Sequence, residues 1–214
     1  MARRKPRGEG DLRRRAAKRE SYDRVLIVCE GEKTEPNYFC ELRAHYALST
    51  ANVDVVPADG SSPITVVRSA IRRQKQERKQ GEKFDRVYCI FDKDEHGNYY
   101  DACRIANNNR LTIASSIPCF EYWLLLHCEY TRAPFSPSGS RTVAEQVLAK
   151  LKTHLPDYEK SSSGLFARLL DNLETAKTRA ARGLQDAERT GEDNPSTHVH
   201  ELVEYLQTLK EKTE

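Results

Sequence analysis

Between Arg24 and Glu30 the chain reads Val-Leu-Ile-Val-Cys, an apolar run with no polar interruption. A strand wetted on one face alternates apolar and polar residues, so a run without alternation has to be covered on both faces, as the strands of a parallel sheet are. Gly31 ends the run. Thr34 then reads as a helix N-cap with Glu35 and Pro36 in the first turn, where proline is tolerated and an acid complements the helix dipole. Tyr38, Phe39, Leu42 and Tyr46 follow at near-helical spacing. A second strand fits Val53 to Val56, and Ser62-Pro63 opens a helix whose buried stripe is Ile64, Val67 and Ile71. Arg72 to Lys83 is a charge-rich helix end and loop. A third strand, Arg86 to Phe91, runs into Asp92-Lys93-Asp94-Glu95-His96-Gly97, a short helix covers Tyr99 to Asn107, and a fourth strand spans Leu111 to Ile117. This β-α-β-α-β-α-β order predicts an α/β fold, a mostly parallel sheet flanked by helices on both faces.

Beyond Pro118 the pattern turns helical. Cys119 to Cys128 is too apolar for a surface and reads as a buried helix; Thr131 to Ser140, with two prolines and a glycine, reads as a loop. Three helical patterns follow, Thr142 to Lys152, about Leu165 to Arg189, and about Thr197 to Lys210, the last after Asn194-Pro195-Ser196 with Val199, Leu202, Val203, Leu206 and Leu209 on one face. We expect this C-terminal helical extension, residues 131–214, to pack on a core of residues 24–130.

No apolar stretch reaches the ~20 residues of a membrane span, and no apolar signal segment follows the first basic residues, so a cytoplasmic address is expected. The six cysteines are scattered without a C-x-x-C pair, several inside apolar runs. That suits reduced thiols better than disulfides or zinc. The net charge of +3 hides an asymmetry: residues 1–24 hold ten Lys/Arg against four acids, and the other 190 residues hold 25 against 28. The first 23 residues therefore read as a basic arm, with Arg3, Arg4, Lys5, Arg13, Arg14 and Arg15 as candidate contacts to a nucleic-acid backbone. The alternative is a solvated tail.

In an open parallel sheet, ligands bind beyond the carboxyl ends of the strands. Glu30 closes the first strand; Asp92 and Asp94 close the third. Alternate residues of extended chain project to one side, and carboxylates sharing a side repel unless a cation sits between them. Glu30, Asp92 and Asp94 are therefore candidate ligands for Mg²⁺, with Mn²⁺ able to substitute, in phosphodiester chemistry. Lys33, near a predicted helix N-terminus, is a candidate phosphate contact. Lys93 and His96 flank the aspartates and are candidates for phosphate contact or proton transfer. The chain has neither a G-x-x-x-x-G-K-[ST] loop nor a G-x-S-x-G elbow, which argues against a P-loop ATPase and a serine hydrolase.

Three blocks, Glu30-Gly31-Glu32-Lys33-Thr34-Glu35-Pro36-Asn37-Tyr38-Phe39, Phe91-Asp92-Lys93-Asp94-Glu95-His96 and Ser116-Ile117-Pro118-Cys119-Phe120-Glu121-Tyr122-Trp123-Leu124-Leu125-Leu126-His127, resemble the RloB-like family, associated with restriction and phage-defence loci. Asn194-Pro195-Ser196-Thr197 is a weaker match. That family is similar to Toprim domains, shared by topoisomerases, primases and overcoming-lysogenization-type nucleases. The resemblance implies a Toprim-like core over residues 24–130, Glu30 as general acid/base or metal ligand, and Asp92 and Asp94 as magnesium ligands. Glu121, in an apolar context where an unpaired carboxylate is costly, is expected to join the metal shell or pair with a base. No tyrosine-bearing strand-passage domain fits, so hydrolysis is the activity implied: a nuclease in phage defence that causes abortive infection, with RNA ahead of DNA and transfer RNA among the targets. A partner ATPase and a dimer stay open. The rival reading is a non-cleaving nucleotide- or nucleic-acid-binding sensor or partner subunit.

Overall fold

The computed structural model describes residues 22–93 and 97–211. Its frame is a four-stranded parallel sheet in the order β2-β1-β3-β4, with β1 at Val25–Cys29, β2 at Val53–Pro57, β3 at Arg86–Ile90 and β4 at Thr112–Ile113. Every residue of β1 is buried, the consequence of its place between β2 and β3 with helices on both faces. The architecture is compatible with the Toprim-like fold expected.

Period-two alternation divides the sheet cleanly. Leu26, Val28, Val87 and Cys89 point to one face, where they pack with Val66, Val67 and Ala70 of α2 (Pro63–Lys79) and with Ala102 and Ala106 of α3 (Tyr99–Asn108). Val25, Ile27, Cys29, Tyr88 and Ile90 point to the other. There they meet α1 (Thr34–His45), α4 (Glu121–Cys128) and the helices that follow, α5 (Val143–His154), α6 (Leu165–Leu169), α7 (Leu173–Thr190) and α8 (Val199–Glu211). All of α4 from Glu121 to His127 is buried, as a helix apolar on every side must be. Ala176, Ala180 and Gly183 of α7 recur on its buried face, and a Cβ at Gly183 would already stand 3.9 Å from the Tyr122 hydroxyl of α4.

Four local expectations are revised. Thr34 is the first helical residue rather than the cap: Lys33 occupies that position, and the Thr34 hydroxyl instead donates to the Lys160 carbonyl. Ser62 does cap α2, reciprocally with Thr65. The fourth strand is split: after β4, residues Ser116–Ile117 form a separate β5 that pairs antiparallel with β6, Ser196–Thr197. Because Ser196 and Thr197 serve that pairing, α8 starts at Val199, whose N–H donates to the Thr197 hydroxyl at 3.2 Å. The pattern from Leu165 to Arg189 breaks into α6, a 3-10 turn at Leu170–Asn172 and α7. Phe166 packs on Tyr38 and Tyr46 while α7 packs on α4, two directions one straight helix cannot serve. All six cysteines are free. Among the described residues no helix is long and apolar enough to cross a membrane.

Candidate functional site

The β1–β3 register sets Cys29 beside Ile90, so Glu30 and Asp92 emerge side by side at the carboxyl edge of the sheet. Glu30 N donates to the Ile90 carbonyl at 2.9 Å, and the Glu30 carboxylate accepts the backbone N–H of Asp92 at 3.0 Å. Asp92 is itself tied sideways to β5 by a parallel bridge to Ser116. These two residues open on a cleft of about 490 Å³ that is also lined by Lys33, Glu35, Glu121 and Lys160, with Thr34, Ser61 and Ser161.

Glu35 was read from sequence as a first-turn dipole acid. It lies buried against Gly31, whose N–H donates to its carboxylate at 3.3 Å. The contact is so close that a Cβ on Gly31 would stand 2.0 Å from Glu35 Oε2. Glu121, 4% exposed, enters at the start of α4. It accepts a hydrogen bond from the Tyr158 hydroxyl at 3.2 Å and faces the Lys160 ammonium at 3.4 Å.

Tyr158 and Lys160 belong to the strap between α5 and α6. Asp157 pairs with Arg168 at 2.8 Å and Glu41 of α1 accepts the N–H groups of Gly164 and Phe166. Together with the Thr34 bond to Lys160, these contacts hold the strap over the cleft.

Five carboxylates, Glu30, Glu35, Asp92, Glu121 and the exposed Glu32, thus share one recess with two lysines. Burial first, then the charges of Glu35, Glu121 and Glu30, push the Asp92 carboxyl well above the usual range, against a lowering hydrogen bond from the Phe120 backbone. Burial, Glu121 and Glu30 likewise raise Glu35. The nearby Glu121 charge raises Lys160. Glu35 and Glu121 act on Asp92 more strongly than Glu30 does, which fits a Glu30 carboxylate turned to the Asp92 amide.

This donor set, all hard oxygen and mutually repelling, is the kind a divalent cation neutralises. Among the described residues, no group of three or more Asp, Glu, His or Cys side chains is arranged to hold an ion outright.

Of the residues singled out from sequence, Glu30, Lys33, Asp92 and Glu121 line this one cleft. Lys93 turns elsewhere, pairing with Asp193 and lying over the rings of Tyr100 and Tyr99 at 5.2 and 5.6 Å. Asp94, His96 and the arm residues Arg3, Arg4, Lys5, Arg13, Arg14 and Arg15 lie outside the described residues. Glu35 and Lys160 were missed. The juxtaposition of Gly31 and Glu35 was a usable signal for the first. Lys160 had none, because a distant strap delivers it.

The model of the family described as RloB-like protein matches residues 25–206. No curated protein and no solved structure matches the chain. With most of its length matched, the chain belongs to the RloB-like family.

Proposed function

We propose that the cleft is a metal-dependent phosphodiesterase site acting on nucleic acid. The observation that carries this reading is the convergence of Glu30, Asp92 and the buried Glu35 and Glu121 on one recess, where desolvation and mutual repulsion raise the Asp92 and Glu35 carboxyls. Such a set is unfavourable unless a cation is part of its working state. Asp92 with Asp94 would hold Mg²⁺ or Mn²⁺, with Glu30, Glu35 and Glu121 completing the shell directly or through water. A bound divalent ion supplies an activated water and a polarised phosphoryl oxygen.

The chain's own groups do the rest. Lys33, with Thr34 and Glu35 of the first turn of α1, lines the cleft, and a helix N-terminus favours a phosphate. Lys160, fixed by the strap, adds a second cation to phosphate oxygens. Glu30, turned to the Asp92 amide, sets the backbone carrying Asp92, and the family resemblance gives it the role of general acid/base or metal ligand. Lys93, held by Asp193, is left to structural or peripheral phosphate contact.

A role in phage defence, and RNA or transfer RNA as the target, come from the family resemblance and are tested as such. A second reading has its own support: a recess of about 490 Å³ with two lysines also suits one nucleotide bound without cleavage. Incubating labelled RNA and plasmid DNA with wild type and Asp92→Ala/Asp94→Ala protein, with Mg²⁺, Mn²⁺ or chelator, separates the two. Metal-dependent cutting by wild type alone supports the nuclease; nucleotide binding without any cutting supports the sensor.

A further inference from the structure

We infer that the outer face of α2 is a docking track for the phosphate backbone of a nucleic acid that reaches the cleft. The inference rests on the phosphodiester reading of the cleft for its substrate class, but on different residues.

Across its 17 residues α2 carries six Lys/Arg and a single acid. The remainder of residues 25–214 holds 19 bases and 27 acids. One strongly basic helix therefore lies on an acidic body, a contrast that concentrates positive potential on one face. Val66, Val67 and Ala70 bury the opposite side against the sheet, which fixes the rotation of the helix. Arg68, Arg72, Lys75 and Lys79 are all exposed, and their spacing of four, three and four residues sets them in a single stripe.

Among the described residues, little neutralises that stripe. Glu77, the one acid of the helix, is turned to Arg24 at 2.8 Å, and Glu82 in the following turn also pairs with Arg24. Asp59 pairs with Arg72, but both side chains are more than half exposed, and such a pair yields readily to a phosphate. At 1.5 Å per residue the stripe is about 16 Å long, enough for several consecutive phosphates of one strand. It also leads to the right place. Ser61, one residue before the α2 cap, lines the cleft, so Arg68 begins the track about 9 Å along the axis from that edge.

The test measures binding by fluorescence anisotropy of labelled RNA and DNA oligonucleotides of mixed sequence, in chelator, across a series of salt concentrations. It compares the full chain with the variant Arg68→Gln/Arg72→Gln/Lys75→Gln/Lys79→Gln and with a charge-keeping control, Arg68→Lys/Arg72→Lys/Lys75→Arg/Lys79→Arg. Residues 1–21 are present in all three proteins, so their contribution cancels.

The neutral variant should bind at least about tenfold more weakly at moderate salt, with a log–log salt slope shallower by about 3, while the charge-keeping control matches wild type. Equal affinity and slope for the neutral variant would overturn the track. So would a wild type that binds neither oligonucleotide. Since no cleavage is read, an inactive cleft leaves this result standing. Where cleavage occurs, the neutral variant should raise KM and keep kcat, whereas a defect in the carboxylates lowers kcat.

Discussion

The Glu30 carboxylate and the Asp92 backbone N–H, 3.0 Å apart, tie the end of β1 to the second residue beyond β3. The bond fixes where the Asp92 side chain leaves the sheet, and it leaves into a recess already occupied by Glu35 and Glu121. A parallel register alone brings the two strand ends together; this hydrogen bond makes their relative position a property of the fold rather than of a loop.

The carboxylate cluster should make the metal-free protein less stable than its packing allows. Asp92→Asn removes one repelling charge without changing shape. In chelator it should raise Tm by about 2–4 °C for each kcal/mol relieved. In millimolar Mg²⁺ the order should reverse, because the wild type gains bound-ion stability and the variant does not. Differential scanning calorimetry in both buffers reads both signs.

Metal and protons should compete for the same oxygens. Asp92 and Glu35 have folded pKa values raised above their unfolded ones. Their contribution to stability is therefore present below the unfolded carboxyl range and lost as pH rises through the raised folded values. A cation restores what the rise in pH removes, so the Mg²⁺-induced gain in Tm should grow as pH rises above the ordinary carboxylate range, with proton release on binding visible by calorimetry in two buffers.

Gly31 should be intolerant of any side chain for a local reason. The added methyl of Gly31→Ala would need the Glu35 carboxylate, 2.0 Å away, to move by more than about 1 Å. Displacements of that size at a reacting centre cost on the order of 100-fold in rate. A fall in metal-dependent activity with Tm nearly unchanged is the expected result; Glu35→Gln in the same assay shows how much of the fall runs through Glu35.

Stability below neutrality should also depend on a histidine that does not line the cleft. Burial pushes His127 down to about 4, and Arg179 adds to it; its Nδ1 hydrogen-bonds the Trp123 carbonyl at 3.1 Å. A folded pKa below the unfolded one means stability that is full above about pH 6.5 and lost as pH falls toward 4. The loss amounts to about 3 kcal/mol over that window. Denaturant unfolding at pH 7 and pH 5 should show His127→Asn less sensitive to acid than wild type.

Lys160 should matter to substrate more than to folding. Its side chain is mostly exposed although its ammonium faces buried Glu121, so Lys160→Gln should shift stability by no more than about 1 kcal/mol. KM for nucleic acid should rise, and Lys160→Arg should recover most of the loss.

The sheet was legible because its strands carry their burial in their composition: Val25 to Cys29 cannot be a surface strand, and Ser62-Pro63 announces a helix start. The positions of Glu30 and Asp92 followed from the same runs, since both residues end them. What stayed hidden depended on contacts distant in sequence. Ser116 and Thr197 pair across 81 residues; Ser116-Ile117 read as the tail of the fourth strand and Ser196-Thr197 as a helix start, and neither dipeptide signals its antiparallel partner. Glu35 satisfied a local rule, an acid in a first turn, while also serving the cleft, and the local rule was sufficient to explain it. Lys160 reaches Glu121 only because Asp157, Tyr158 and Glu41 hold the strap in place.

The central claim is that Asp92 and its neighbouring carboxylates form a divalent-cation site. Titrating Mn²⁺ into the full chain and following free ion by electron paramagnetic resonance tests it without assuming any substrate. Saturable binding that is abolished in Asp92→Ala/Asp94→Ala and weakened in Glu35→Gln is the predicted result. Binding that survives the double substitution unchanged, or a wild type that takes up no Mn²⁺ at millimolar concentration, would contradict it.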